Sequence, residues 1–199
     1  MKFLIGVDEA GRGPLAGPVA VGLVRVPSGF DVAREFPGAR DSKQLSELAR
    51  EKLYGQLVAR AEAGELAFRV CFGSRAEIDE RGITIAIRHA IRRGVLELAR
   101  EAEIEKVYLD GLLHAPREYT QETIIRGDEL VPLISLASIA AKVARDRLMK
   151  RLGKRYPEYK FEQHKGYPTK LHYALLREHG PSAIHRMRYL HLDENAMKE

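Results

Sequence analysis

The chain has 199 residues, of which 45% are hydrophobic and 31% charged, and its single cysteine is Cys71. This composition is typical of a globular domain and excludes an intrinsically disordered chain. One cysteine excludes an internal disulfide and a four-cysteine zinc site, and no apolar run approaches the ~20 residues that span a bilayer. We therefore expect a soluble cytoplasmic protein that does not associate with membranes.

The net charge is +5, and positive charge concentrates in the C-terminal part of the chain. Residues 142–192 hold 13 Lys or Arg against 4 Asp or Glu. Clustered cations attract polyanions, because binding releases the counterions that phosphate groups carry. The distribution favours a nucleic-acid partner, and we expect the basic tail to add attraction to a duplex through Lys150, Arg151, Lys154 and Arg155. The alternative is a solvent-exposed helix face with surplus lysines, which would give the same excess of positive charge.

The pattern of apolar residues predicts an α/β fold. Strands that come first, followed by alternating strands and helices, indicate a mixed sheet flanked by helices. The glycine-rich segment after the first strand is short enough for a turn, so we expect the first two strands to pair as a hairpin. In chain order, the predicted elements are strands at 3–7 and 18–26, a helix capped by Ser46 and ending near 63, a strand at 66–72, a helix from about 84, strands at 106–109 and 123–126, and helices at 133–152 and 169–178.

Four acidic residues follow predicted strands: Asp8, Glu9, Asp110 and Asp128. Ends of strands are where α/β sheets place their ligands. Neighbouring residues of an extended strand point to opposite faces, so Asp8 and Glu9 reach one site only if the chain bends there. Gly11 and Gly13 permit such a bend. If the acids do not converge, each is an ordinary solvent-exposed residue at the end of a strand.

Carboxylates that meet in one site repel each other unless they are protonated or bridged by cations. Mg²⁺ prefers oxygen ligands, and two such ions can hold the attacking and the leaving oxygen of a phosphoryl displacement. A dinucleotide site is excluded, because the spacing from Gly11 to Gly17 is G-x-G-x-x-x-G and Pro18 begins a strand where a helix should begin. The acids therefore predict a divalent metal site if they converge.

Several motifs together resemble ribonuclease HII over residues from Phe3 to about His185. The resemblance implies a ribonuclease H-like fold, with a catalytic core over 1–155 and a helical C-terminal extension over 156–199 that completes the substrate-binding face. Leu112 stands where the family often has Asn, and Leu136 departs from a more usual Ser-Ala-Ala-Ser. The motifs that carry the resemblance are Asp8-Glu9-Ala10-Gly11-Arg12-Gly13, Asp41-Ser42-Lys43, Asp110-Gly111, Gly127-Asp128, the segment Ser138 to Asp146, and His164-Lys165-Gly166-Tyr167.

The resemblance also implies an activity. It indicates endonucleolytic hydrolysis of RNA in RNA–DNA hybrids, and cleavage on the 5′ side of single ribonucleotides in duplex DNA. The products would carry 3′-hydroxyl and 5′-phosphate ends. By resemblance, two Mg²⁺ or Mn²⁺ ions are held by Asp8, Glu9, Asp110 and Asp128.

Recognition of the ribose 2′-hydroxyl, the group that separates RNA from DNA, follows from the same resemblance. It is assigned to the backbone of Gly11, Arg12 and Gly13 and to Tyr167. Lys43, Lys142 and Arg145 are candidate phosphate contacts, and His164 is a candidate substrate contact. Nothing in the sequence demands an oligomer, so we expect a monomer.

Two other functions stay open on the sequence alone. Another two-metal nuclease of the same fold, such as a junction resolvase, would recognise DNA shape rather than a 2′-hydroxyl. A non-catalytic module that binds hybrids would need the four carboxylates to be scattered in space. The Gly-Arg-Gly turn and Tyr167 favour the ribonuclease over both alternatives.

Overall fold

A five-stranded mixed sheet organises the chain in this computed structural model, which describes residues 1–39, 45–100 and 102–190. In order across the sheet, the strands run β3-β2-β1-β4-β5. β1 pairs antiparallel with β2, as the predicted hairpin requires, whereas β1 and β4, and β4 and β5, run parallel. The predicted mixed sheet is confirmed. The strands are β1 (Lys2–Ala10), β2 (Val19–Pro27), β3 (Ala67–Gly73), β4 (Glu103–Asp110) and β5 (Gln121–Ile124).

Helices cover both faces of this sheet. The side chain of Ser46 accepts a hydrogen bond from the Ala49 amide at 3.2 Å, which confirms the predicted N-cap. None of the helices placed by the structure is both long and apolar enough to cross a membrane. The helices are α1 (Val32–Glu35), α2 (Glu47–Glu62), α3 (Arg75–Arg81), α4 (Ile83–Ala99), α5 (Gly127–Leu130), α6 (Pro132–Arg155), α7 (Phe161–His164) and α8 (Lys170–His179).

The long helix α6 lies unusually close to the middle of the sheet. A Cβ atom added to Gly6 would lie 2.5 Å from the Leu133 carbonyl oxygen, and one added to Gly22 would lie 2.1 Å from that of Ala137. Only glycine lets helix and strand backbones approach this far. The contact places the next turns of α6 beside the end of β1. On the opposite face, α4 buries an apolar stripe that includes Ile87 and Ile91.

The C-terminal extension packs on the glycine-rich turn that joins β1 to β2. The amide of Leu15 donates to the Gly166 carbonyl at 2.8 Å, and the amide of Gly17 donates to Ile184 at 2.9 Å. A small apolar cluster that includes Ala16 and Phe161 lies under this contact. The extension therefore helps to shape the turn.

Two sequence predictions about strand ends are wrong. The strand predicted at 123–126 is β5 at Gln121–Ile124, and Arg126 is left-handed with a φ of 57°. Asp128 therefore lies in the helical turn α5 rather than at a strand end. The first strand continues past Val7 to Ala10, so Asp8 and Glu9 lie within β1.

Candidate active site

A cavity of about 460 Å³ opens where β1 and β4 end. The parallel register pairs Val7 with Leu109, so the acids that follow on both strands reach the same edge of the sheet. The cavity brings together nine of the twelve residues that the sequence singles out, together with Ala10, Arg50 and Ser138. The nine are Asp8, Glu9, Gly11, Arg12, Gly13, Asp110, Asp128, Lys142 and Tyr167.

Asp8 and Glu9 share this cavity although they are adjacent on β1. Their backbones keep the regular antiparallel register with β2, opposite Gly22 and Val21. Pairing with β2 therefore continues across both acids. Glu9 forms an ion pair with Arg12, which lies beyond the end of β1, and this contact draws the Glu9 carboxylate toward the turn. The backbone amide of Glu9 donates to Asp8 at 2.7 Å.

Negative charge is concentrated at the buried end of the cavity. Burial, together with the charges of Glu9 and Asp110, holds the pKa of the Asp8 carboxyl well above its ordinary value, and a hydrogen bond from Ser138 partly offsets this. One buried carboxylate oxygen of Glu9, Oε2, has no hydrogen-bond partner among the described residues. The Asp128 amide donates to Asp110 Oδ1 at 3.3 Å and so holds the last two acids together.

This set of carboxylate oxygens fits a hard divalent cation. A cation would offset the burial and the neighbouring negative charges that raise the pKa of Asp8, and it would give the buried Glu9 oxygen a partner. Within the described part of the chain, no group of three or more His, Cys, Asp or Glu side chains already forms a metal-binding cluster. The acids share a cavity rather than a finished coordination shell.

Two buried arginines hold the glycine-rich turn from below. Arg186 donates to the carbonyls of Gly11, Arg12 and Gly17 at 2.8 to 2.9 Å. Arg145 donates to the carbonyls of Ala16 and Pro18 at 3.2 and 3.0 Å. Both side chains are 1% exposed or less. The turn is therefore a fixed backbone surface rather than a flexible loop.

The space under this turn explains one of its glycines. Gly11 has a φ of 95°, and a Cβ atom added there would lie 2.1 Å from Nε of Arg145. Gly13 has no atom within 4 Å of its added Cβ position. Gly11 is thus required by the fold, whereas Gly13 leaves an open space beside the cavity.

Tyr167 and Lys142 form the opposite wall. Lys142 Nζ lies 5.7 Å from the centre of the Tyr167 ring, and it forms an ion pair with Asp146 one turn further along α6, at 2.8 Å. A spacing of four residues on a helix favours such an ion pair as an alternative to a phosphate contact. Lys142 nevertheless also lines the cavity. Gly166 lets the tyrosine segment approach the turn, because a Cβ atom there would lie 2.6 Å from the Ala16 carbonyl oxygen.

The structure does not bring every predicted residue to the cavity. His164 is 7% exposed and lies in the core of the extension, where Nε2 contacts the Tyr159 carbonyl at 2.8 Å and Nδ1 accepts from the Gly166 amide. Arg145 is buried under the turn, so the prediction that it contacts phosphate is wrong. Lys43, with the rest of its Asp41-Ser42-Lys43 motif, lies outside the described residues.

Sequence reasoning missed three residues of this site. Arg186 lies in the C-terminal stretch whose Lys and Arg residues were considered only for their total charge. Arg50 lies in α2, where it donates to the Leu45 carbonyl. Ser138 belongs to one of the motifs, but no role was predicted for it. No local signal marks Arg186 as buried, because its carbonyl partners are far away in the sequence.

Comparisons with known proteins assign the chain to a family. The model of the family described as ribonuclease HII matches residues 5–192. The chain belongs to the ribonuclease HII family. It is 47% identical to ribonuclease HII of Nitrosomonas europaea over 94% of this chain and 82% of that protein. Members of this family are nucleases, and metal dependence is typical of them, so this chain is an enzyme with ribonuclease H activity.

Two solved structures share the fold. The crystal structure of ribonuclease H2 from Pyrococcus horikoshii matches with a TM-score of 0.77 and 26% identity, over 99% of this chain and all of that one. Bst-RNase HIII, solved in complex with Mn²⁺, matches with a TM-score of 0.69 and 18% identity, over 94% of this chain and 67% of that one. The predicted ribonuclease H-like fold is confirmed.

Proposed function

We propose that this enzyme hydrolyses the RNA strand of RNA–DNA hybrids and cuts duplex DNA on the 5′ side of a single ribonucleotide. Cleavage would use two metal ions and leave 3′-hydroxyl and 5′-phosphate ends. The observation that carries the proposal is one cavity in which four carboxylates face a rigid glycine-rich turn and a tyrosine. A non-catalytic module would place no such set of acids on a phosphate path.

The carboxylates would hold the metal ions. Mg²⁺ or Mn²⁺ bound there would lower the pKa of a water molecule and stabilise the departing 3′ oxygen. The hydrogen bond from Ser138 and the burial of Asp8 fix the orientation of its carboxylate. Lys142 and Arg12 place positive charge on the wall and at the mouth of the cavity, where they would contact phosphate oxygens. The acids assigned to the ions are Asp8, Glu9, Asp110 and Asp128.

The glycine-rich turn would read the sugar through its amide groups. In a planar trans peptide the carbonyl and the next N–H point in opposite directions. Because the carbonyls of Gly11 and Arg12 point at the buried Arg186 guanidinium, the amides of Arg12 and Gly13 point away from it. Two N–H donors on a fixed backbone would donate hydrogen bonds to the oxygen of a 2′-hydroxyl, a group that deoxyribose lacks.

Replacing Asp8 tests the metal assignment. We expect Asp8→Asn to reduce Mg²⁺-dependent cleavage by about 100-fold or more, because a buried ligand loses its charge, while hybrid binding survives. The measurement is single-turnover cleavage of a labelled RNA–DNA hybrid, with affinity measured in EDTA. Glu62→Gln, which changes an exposed acid outside the cavity, is the matched control. Cleavage by Asp8→Asn near the wild-type rate would remove Asp8 from the mechanism.

Replacing Tyr167 tests recognition of the sugar. We expect Tyr167→Ala to slow cleavage at a single ribonucleotide by about 10-fold or more, because both the ring surface and the hydroxyl are lost. Tyr167→Phe keeps the ring and separates the two contributions. The readout is the cleavage rate on a duplex with one ribonucleotide. If Tyr167→Ala cut this substrate as fast as the wild type, Tyr167 would have no role in recognition.

A further inference from the structure

A second groove, larger than the active-site cavity, lies on another part of the surface and is lined by cationic side chains. Its volume is about 710 Å³. We call it the arginine groove; the argument rests on Arg88, Arg92, His114 and Arg117, and one acid, Glu118, also lies in the lining. The proposed catalytic chemistry uses none of them.

Two elements build the arginine groove. Arg88 and Arg92 are four residues apart on α4, so their side chains share one helix face. That face is the solvent-exposed one, since the buried stripe of α4 runs through Ile87 and Ile91. The loop between β4 and β5 supplies the other side with His114 and Arg117, which are also exposed. This loop begins directly after the active-site acid Asp110.

The three arginines lack internal partners. Among the described residues, no hydrogen bond or ion pair involves the side chain of Arg88, Arg92 or Arg117. Some arginines elsewhere on the surface are paired, as Arg147 is with Glu51 at 2.5 Å, whereas these three lie together in one groove. Like charges four apart on a helix repel each other and destabilise the helix. An unpaired cluster that costs stability indicates an anionic ligand.

The arginine groove is linked to the active-site cavity by shared lining residues. A small depression of about 50 Å³ lies between them. Its wall contains Arg12, which also lines the active-site cavity, and Arg88 and His114, which also line the groove. A chain-like ligand can therefore run from the carboxylates past Arg12 into the groove.

We propose that the arginine groove binds the sugar–phosphate backbone of one nucleic-acid strand where it leaves the active-site cavity. Guanidinium groups suit this role, because each presents several N–H donors in a plane that matches two phosphate oxygens. The ligand is a run of consecutive phosphodiesters, read without regard to base sequence. This inference rests on the proposed function, since it takes the strand in the cavity to be a substrate.

The test compares binding to duplexes that hold one ribonucleotide and differ in the length of DNA on either side of it, here called the arms. Binding is measured in EDTA so that no strand is cut. We expect the double variant Arg88→Ala/Arg92→Ala to bind the long duplex about 10-fold more weakly. The slope of log affinity against log salt should fall by about 1–2, because each lost phosphate contact removes about 0.9. Shortening the arm that crosses the arginine groove should abolish the difference between variant and wild type.

Two control variants separate the arginine groove from general charge. Arg88→Lys/Arg92→Lys keeps the charge and should retain most of the affinity, whereas Arg34→Ala/Arg100→Ala removes two exposed charges outside both cavities and should change little. Unchanged affinity in Arg88→Ala/Arg92→Ala, or the same loss for every arm length, would overturn the proposal. Cleavage by the wild type in Mg²⁺ is measured separately, so a failure of the proposed activity is distinguished from a failure of the groove.

Discussion

At the scale of single residues, the most consequential contacts join Arg186 to the glycine-rich turn. A buried charge is costly unless its hydrogen bonds are satisfied, and here three backbone carbonyls satisfy it. Burial and the neighbouring positive charge of Arg145 lower the pKa of Arg186 to about 10, so it remains charged at neutral pH. Two guanidinium groups therefore fix the geometry that would present amides to a ribose.

The two glycines of this turn make a matched pair for testing that geometry. Gly11→Ala places a Cβ atom 2.1 Å from Arg145 at a φ of 95°, so we expect it to lower the free energy of unfolding by about 2–4 kcal/mol. Gly13→Ala enters open space and should change stability by less than about 1 kcal/mol. Urea denaturation measures both. Equal losses for the two variants would contradict the clamped turn.

At the scale of elements, the C-terminal extension is held together by buried histidines. The rings of His164 and His172 stack with centroids 4.3 Å apart, and His172 Nε2 contacts His185 Nε2 at 3.0 Å. His172 Nδ1 also contacts the Tyr167 carbonyl at 3.0 Å. The cluster thus supports the segment that carries the active-site tyrosine, and it does so with neutral rings. Burial lowers the pKa of His172 and His185 to about 4.

These lowered pKa values predict acid sensitivity. Between pH 6.5 and about 4 the unfolded chain binds protons at His172 and His185 that the folded chain does not, so stability falls as pH falls through this window. Above pH 6.5 the contribution is fully present, and at about pH 4 it is lost. Urea midpoints measured across this range should fall more steeply for the wild type than for His172→Gln/His185→Gln. His179→Gln, at a partly exposed histidine, should keep the wild-type slope; equal slopes for all three would contradict the account.

At the scale of the whole molecule, the sequence predicts the sheet and most of the site. Strand and helix patterns gave the mixed sheet, the hairpin and the Ser46 cap, because these depend on local periodicity and capping chemistry. The residue pattern marked Asp8, Glu9 and Asp110 as strand-end acids, and only the resemblance joined them in one site, because convergence depends on how distant strands pair. The secondary structure around Asp128 was predicted wrongly, since Arg126 takes a left-handed conformation that its residue type does not signal.

Charge counting was the weakest guide at this scale. The basic C-terminal stretch suggested a surface for a duplex, yet Arg145 and Arg186 are buried in it, and Lys150 is paired with Glu47. A cluster of three arginines whose side chains have no partner among the described residues lies instead on α4 and the loop after β4. Net charge in a sequence window cannot separate structural cations from surface ones, because the partners that bury them come from distant parts of the chain.

The most direct test of the central claim is to map the cut made in a DNA duplex that holds one ribonucleotide, with Mg²⁺, Mn²⁺ or EDTA. The account predicts one metal-dependent cut on the 5′ side of the ribonucleotide, with 3′-hydroxyl and 5′-phosphate ends, and no cut in the matched all-DNA duplex. Equal cleavage of the all-DNA duplex, or cleavage that persists in EDTA, would contradict it.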